Sequence, residues 1–255
     1  EQGIGDNLQF ARYIFWLKEK FDCNIFFYLD KKISHLFKNC PCKIINDFTQ
    51  IENLDYYQHL LTLQYIYFKI ENNFKKCIPF ITSNNEIDLN WKNKLKFFKR
   101  PLIAIQWKGN ENFLDDQQRS VPLKFFQDLI KDNNYTFISL QKDNLSKEIK
   151  LNNFDNYIKD FSEEIDLKGE SFIDTISILK NIDLLISVDT SMTHLAATLQ
   201  VKTLLLLNSN PDWRWHIEFK EKCFYENLEI IRLNKANDWN SITSLISLKL
   251  REIFK

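Results

Sequence analysis

Short apolar runs and stretches of helical spacing succeed one another along this chain. The sharpest run is Leu184-Leu185-Ile186-Ser187-Val188, short and apolar enough for a parallel strand buried on both faces. It gives way to the polar Asp189-Thr190-Ser191, after which Met192, Leu195, Ala196 and Leu199 fall on one face of a helix. Further strands are predicted over Leu102 to Trp107, Tyr135 to Leu140, Lys202 to Leu207 and Leu228 to Leu233. Helices are predicted over Leu123 to Ile130 and Ser171 to Leu179. A closing helix from Trp239 to Phe254 carries Trp239, Ile242, Ile246, Leu250 and Ile253 on one side.

The N-terminal part reads more loosely. Gly3 and Gly5 suit a tight turn open to close approach by a ligand, leading into a helix with Leu8, Ala11, Ile14 and Phe15 at helical spacing. Strands at Asn24 to Tyr28 and Cys42 to Ile45 flank a short helix at Ile33 to Phe37. Asp55 to Tyr67 reads as wall and loop. The polar, Lys-rich Ile81 to Lys99, with Trp91 in a helix-like stretch, is placed as the connection between two units, residues 1–95 and 96–255. Strand alternating with helix argues for parallel sheets covered on both faces, an α/β class.

Charge narrows the options. Lys+Arg and Asp+Glu both number 34, so a chain of zero formal net charge has no global attraction for polyanions, and nucleic acid is not an expected partner. The cysteines are odd in number and none forms a Cys-x-x-Cys pair, which fits a reduced, cytosolic protein. Cys40-Pro41-Cys42 is too tight for zinc-ligand spacing and reads as structural. No apolar run reaches the length of a membrane span. The sequence opens without Met inside what reads as a loop motif, so a preceding segment is expected.

A strand running through a polar turn into a helix leaves backbone N–H groups pointing off the sheet, with the hydroxyls of Thr190, Ser191 and Thr193 beside them. This is either a phosphate or diphosphate site or a capped turn. Other polar groups fall at the C-terminal ends of predicted strands: Lys108, Arg119, Gln141, His194, and Asp212 to Arg214. Lys108 and Arg119 could neutralise a diphosphate or be surface charges. Trp213 could stack on a base or sugar, whereas Trp215 reads as a plug beneath the cleft. Asp6 is either a helix N-cap or a general base toward a sugar hydroxyl. Asp115-Asp116 lacks a third ligand at a sensible spacing and is set aside as a metal site.

Three ordered blocks then carry a family resemblance across almost the whole chain. They are Glu1-Gln2-Gly3-Ile4-Gly5-Asp6 with Gln9-Phe10-Ala11-Arg12-Tyr13; Trp107-Lys108-Gly109-Asn110 with Asp116, Arg119-Ser120 and Ser139-Leu140-Gln141; and Val188-Asp189-Thr190 with His194-Leu195-Ala196, then Pro211-Asp212-Trp213-Arg214-Trp215. The chain resembles glycosyltransferase family nine, the heptosyltransferase-like group, and within it the bacterial members found behind tetratricopeptide repeats. The resemblance implies a GT-B fold, two Rossmann-like domains facing a cleft, here with the first strand of the N-terminal acceptor-side domain missing. It implies transfer of a sugar from a nucleotide-sugar to an acceptor hydroxyl on a glycan, lipid or protein, with inversion. Asp6 matches the general base, and Asp189 and Thr190 the residues near donor sugar and diphosphate. Ser191 stands where heptosyltransferases usually carry glycine. Lys108, Arg119, Gln141, Thr193 and His194 fall in the implied donor site. The iron-holding cysteine cluster of related autotransporter heptosyltransferases is not recognisable, so no metal or other cofactor is expected. The implied setting is cytoplasmic, peripheral to the inner membrane. A GT-B nucleotide-sugar epimerase and a non-catalytic nucleotide- or carbohydrate-binding module are the alternatives.

Overall fold

The computed structural model describes residues 3–110, 116–142, 146–167, 169–215 and 224–255. Glu1, Gln2 and Asp115, which figure in the sequence reading, lie outside the described residues, as do His216 and Cys223.

Helices α1 (Ile4–Phe10) and α2 (Arg12–Lys20) meet at Ala11 and lead to two short parallel strands, β1 (Phe26–Tyr28) and β2 (Lys43–Ile45). Helices α3 (Leu60–Glu71) and α4 (Asn85–Leu95) follow. The next elements are β3 (Leu102–Gln106), the one-turn α5 (Asp116–Arg119), α6 (Gln127–Ile130), β4 (Thr136–Ser139), α7 (Lys147–Leu151) and β5 (Ile158–Asp160). Then come α8 (Ile173–Leu179), β6 (Leu184–Val188), α9 (Ser191–Thr198), β7 (Thr203–Leu207), β8 (Leu228–Arg232) and α10 (Ile242–Ile253). Among the described residues no helix is long and apolar enough to cross a membrane.

Strands β3 to β8 form one parallel sheet in the order β5-β4-β3-β6-β7-β8. From β3 the chain builds outward through β4 and β5, then returns to add β6, β7 and β8 on the other side. The boundary between β3 and β6 is therefore a switch point, where the connections leave in opposite directions and open a crevice at the strands' C-terminal ends.

The side-chain period of two divides the core. Ile103, Ile105, Leu184, Ile186, Val188, Leu204 and Leu206 face α10 and the helical turn at Leu123–Phe126. Leu102, Ala104 and Leu185 face the opposite way, into a core that also holds Leu8 and Phe10 of α1, Leu63 and Tyr67 of α3 and Trp91 of α4. The N-terminal helices thus cover one face of the six-stranded sheet, and α1 lies against α9. Arg12, almost fully buried, adds a polar tie. It donates to the carbonyls of Gln9 (2.6 Å) and Phe224 (2.7 Å), with its guanidinium 4.5 Å from the Tyr225 ring.

Several local expectations are corrected. Asp55 to Tyr67 is not all loop: α3 begins at Leu60, and Leu60, Leu63 and Tyr67 are its buried stripe. Between Gln141 and Ser171, where the pattern predicts no element, the chain forms α7 and β5. Arg119, expected at the C-terminal end of a strand, lies in the helical turn α5. The predicted helix Leu123 to Ile130 divides into a 3-10 turn, Leu123–Phe126, and α6. Asp6 is not an N-cap. The helix starts at Ile4, and Asp6 reaches back from its first turn to accept the Gly3 N–H at 3.0 Å.

Candidate functional site

A cleft of about 1200 Å³ opens along the C-terminal ends of β3, β4, β6 and β7, over the switch point. The start of α1 forms one wall and the start of α9 the adjoining one. The two helices approach closely because position 5 is glycine. A Cβ there would stand 3.1 Å from His194 Cδ2 and 3.5 Å from Ser191 Cα. Gly5 lies inside α1, so the close approach it permits here is that of a helix, not of a tight turn.

Val188 ends β6, and Thr190 caps α9, its Oγ1 accepting the Met192 N–H at 3.3 Å. The same hydroxyl donates to Gln106 Oε1 at 2.7 Å, and Ser187 Oγ approaches that oxygen at 3.3 Å. Gln106, at the end of β3, therefore ties both strands of the switch point together. Asp189, Thr190, Ser191, Met192 and His194 line the cleft. Thr193 does not: it is fully buried, its hydroxyl bonded to the Val188 carbonyl at 3.0 Å, and it cannot serve as a donor to a ligand.

Burial raises the Asp189 carboxyl to about 6, the Trp215 indole and the Arg214 and Arg119 guanidiniums opposing the rise. The indole N–H is close enough to contribute but falls short of a regular hydrogen bond. Burial, then the positive charges of Arg214 and Arg12, lower His194 to about 3. The imidazole is neutral near pH 7, stacked on Trp215 (5.6 Å, 18°) with Nδ1 3.0 Å from the Tyr225 hydroxyl. Trp215 is buried beneath it as the expected plug.

Arg119 and Gln141 line the cleft as well. Arg119 donates to Asp116 Oδ1 (2.8 Å) and to the Asp189 carbonyl (3.1 Å). Gly109 makes room for this: a Cβ there would run into Asp116 Oδ1 and Arg119 Nη2. Gln141 Oε1 accepts the Lys108 backbone N–H at 3.1 Å. The Lys108 side chain turns away from the cleft. Its Nζ pairs with Glu148 at 2.6 Å, the carboxylate that also accepts the Trp107 indole N–H at 2.7 Å. Glu148, on the α7 that the sequence pattern hid, is what removes Lys108 from the site.

On the α1 side, Gly3, Gly5 and Asp6 face Asp212 and Arg214. Arg214 Nη2 bonds Asp6 Oδ1, and Arg214 Nη1 bonds Asp212 Oδ1 at 2.7 Å. Trp213 lies outside the cleft, stacked on Phe10 at 6.3 Å and under the Arg214 guanidinium. Sequence reasoning missed Gln106, Lys142, Phe172, Thr175 and Asn208, all of which line the cleft. For Gln106 a signal existed: a polar residue ending an apolar strand. Among the described residues no three or more His, Cys, Asp or Glu side chains gather to hold a metal ion. Burial raises the thiols of Cys40 and Cys42, the latter to about 11, in keeping with a structural role.

No protein-family model matches the chain, and no curated protein matches it. Among solved structures, a glycosyl transferase family 9 protein from Veillonella parvula DSM 2008 superposes with a TM-score of 0.59 at 11% identity, covering 97% of this chain and 88% of that one. E. coli ADP-heptose lps heptosyltransferase II aligns with a TM-score of 0.49 at 15% identity over 68% of this chain. E. coli heptosyltransferase WaaC with ADP-2-deoxy-2-fluoro heptose aligns with 0.47 at 13% over 78%. The chain spans 52% and 58% of those two E. coli proteins. The sheet order and the Veillonella likeness give the class: an α/β protein of the GT-B type.

Proposed function

We propose that this protein is a glycosyltransferase that moves a sugar from a nucleoside-diphosphate sugar, ADP-heptose-like or other, to an acceptor hydroxyl, with inversion and without a metal. One observation carries the reading. At the switch-point crevice the start of α9 and the Arg119 guanidinium line the same cleft as a carboxylate, Asp6, on a facing helix. An anion-binding edge opposite a base is what displacement of a diphosphate by a hydroxyl requires.

The acceptor oxygen attacks the anomeric carbon from the face opposite the leaving group, and Asp6 takes its proton. The bond from that carbon to the diphosphate breaks, and the phosphate oxygen leaves with the electron pair. Arg119, the Ser191 hydroxyl and the backbone at the start of α9, which Thr190 caps, stabilise the charge that grows there. Asp189 lies beneath the donor sugar, and Gln141 beside the nucleotide. Residues 1–95 provide the acceptor side and residues 96–255 the donor side. The acceptor is a glycan, lipid or protein hydroxyl. The enzyme works in the cytoplasm beside the inner membrane, with a tetratricopeptide-repeat segment as its expected companion.

A thermal-shift screen against ADP-, GDP-, UDP- and CMP-sugars identifies the donor, which then allows transfer to be assayed. Asp6→Asn is expected to lower turnover by about a thousand-fold, the scale of lost general-base catalysis. Near-normal turnover in that variant would remove Asp6 from the role.

A further inference from the structure

Arg214 spans the cleft. From the turn Trp213–Trp215 its guanidinium reaches Asp6 on α1 through Nη2, and through Nη1 it holds Asp212 Oδ1 at 2.7 Å. The Trp213 and Phe10 rings sit 5.0 and 5.8 Å from its central carbon. The Arg214 Nε is buried and has no hydrogen-bond partner among the described residues. The second oxygen of Asp6, Oδ2, accepts the Gly3 N–H at 3.0 Å. Both oxygens of the proposed base are therefore engaged, one of them by a cation.

Among the described residues, the other cations lining the cleft are matched too. Arg119 holds Asp116 at 2.8 Å, and Lys142 holds Asp166 at 3.0 Å. The described cations that a diphosphate would meet in this cleft are therefore all engaged with carboxylates. Arg214 is well placed to yield. Its guanidinium has a donor to spare in Nε, and its fork suits phosphate oxygens as well as carboxylate. Asp212 would keep it in place after the exchange, because Asp212 Oδ1 also accepts the Arg214 backbone N–H at 3.0 Å.

We propose that Arg214 is a shared clasp. It holds the Asp6 carboxylate until a nucleoside diphosphate draws the guanidinium away, so that donor binding releases the base. The inference rests on the reading of this cleft as a nucleoside-diphosphate-sugar site with Asp6 as base. It adds an order of events: the base is exposed to an acceptor only once a donor is seated. Arg214 is in this respect a positioning residue, since it acts on the acceptor proton through Asp6.

The test is a double-mutant cycle read by titration calorimetry with ADP as the probe, each protein first checked by thermal melting. Competition for one guanidinium makes Asp6 an inhibitor of diphosphate binding that works through Arg214. D6N should therefore tighten ADP about ten-fold in the otherwise unchanged chain, yet by less than about two-fold on an R214Q background. R214Q alone should weaken ADP by about ten-fold or more. Equal tightening by D6N on both backgrounds would mean simple charge repulsion and overturns the clasp, as does no tightening on either, while ADP binding by the unchanged protein keeps the cleft reading intact. Absence of ADP binding to the unchanged protein removes that reading for ADP, and the clasp with it. Should R214Q fail to fold, R214K replaces it with the same expectation, since an ammonium lacks the planar fork that holds two carboxylates.

Discussion

The two walls of the cleft are built by different means. The sheet-edge wall follows from short stretches of chain: a buried strand stops at Val188, Thr190 caps the next helix, and the turn between them faces the crevice. The α1 wall is assembled by contacts between residues far apart in sequence. Arg214 reaches Asp6, and Arg12 reaches the Phe224 carbonyl. The elements of the first wall are local, a strand, a cap and a helix, and Gln106 and Arg119 then tie its turn to the neighbouring chain. The second depends on α1 lying flat against α9, and that contact rests on one missing side chain.

Gly5→Val attacks the contact directly and should have the largest effect. The imidazole it would press on is stacked on Trp215 and bonded to Tyr225, so it has little room to retreat. Overpacking of this kind costs about 1–3 kcal/mol of unfolding free energy, measurable by denaturant titration. Gly3→Ala is the control: a Cβ there meets nothing nearer than Asp6 Oδ2 at 3.7 Å, and a change within about 0.5 kcal/mol is expected. If both substitutions cost the same, the α1 wall does not depend on that close approach.

The pH response sets the helix that α1 packs against, through His194, beside the turn that leads into it, through Asp189. Unfolded, His194 takes its proton near 6.5; folded, burial delays this to about 3. Between those values the unfolded chain holds the extra proton, so this contribution to stability is lost as pH falls. Asp189 runs the other way. Its folded value of about 6 exceeds the ordinary 3.8, the folded chain holds the extra proton between them, and its contribution declines as pH rises. The two slopes oppose each other from about pH 4 to pH 6. His194→Gln removes one of them. The stability advantage of the unchanged protein over this variant should shrink by about 1.4 kcal/mol per pH unit on acidification through that window. A pH-independent difference would show that His194 already titrates normally in the folded chain.

The same contrast explains how much could be read from the sequence. Buried parallel strands are apolar runs, so Leu184 to Val188 was located with its observed bounds and the strands from β3 to β8 were found, apart from β5. In β5, Ile158-Lys159-Asp160, one apolar residue in three leaves no run to see. Helix α3 was hidden for the opposite reason. Leu61, Tyr65, Ile66, Phe68 and Ile70 make its outer side nearly as apolar as the buried stripe, and the 3.6-residue period fades. Most of the candidate cleft residues lie on turns that the pattern located, including Asp6, Arg119, Gln141, Asp189, Thr190 and Arg214. Their partners were not legible, because an ion pair such as Arg214 with Asp6 leaves no periodic trace in the chain.

Lys108 is where that gap mattered, and it sets the smallest prediction. Position alone, after a strand and before a glycine, gives it the same claim on an anion as Arg119. The structure separates them by partner. Arg119 lines the cleft, while Lys108 Nζ is held 2.6 Å from Glu148, a residue whose nearness depends on α7 folding back beside β3. Lys108→Met keeps the aliphatic stem and removes the charge. ADP affinity should stay within about two-fold, since the lost charge was already neutralised away from the ligand, whereas Arg119→Ala should weaken ADP about ten-fold. The cost of Lys108→Met should appear in stability instead, at about 1 kcal/mol, because Glu148 keeps only the Trp107 N–H of its two partners here. If calorimetry finds Lys108→Met weakening ADP as much as Arg119→Ala, the lysine swings into the cleft in solution, and the sheet-edge wall carries one more cation than its contacts here assign to it.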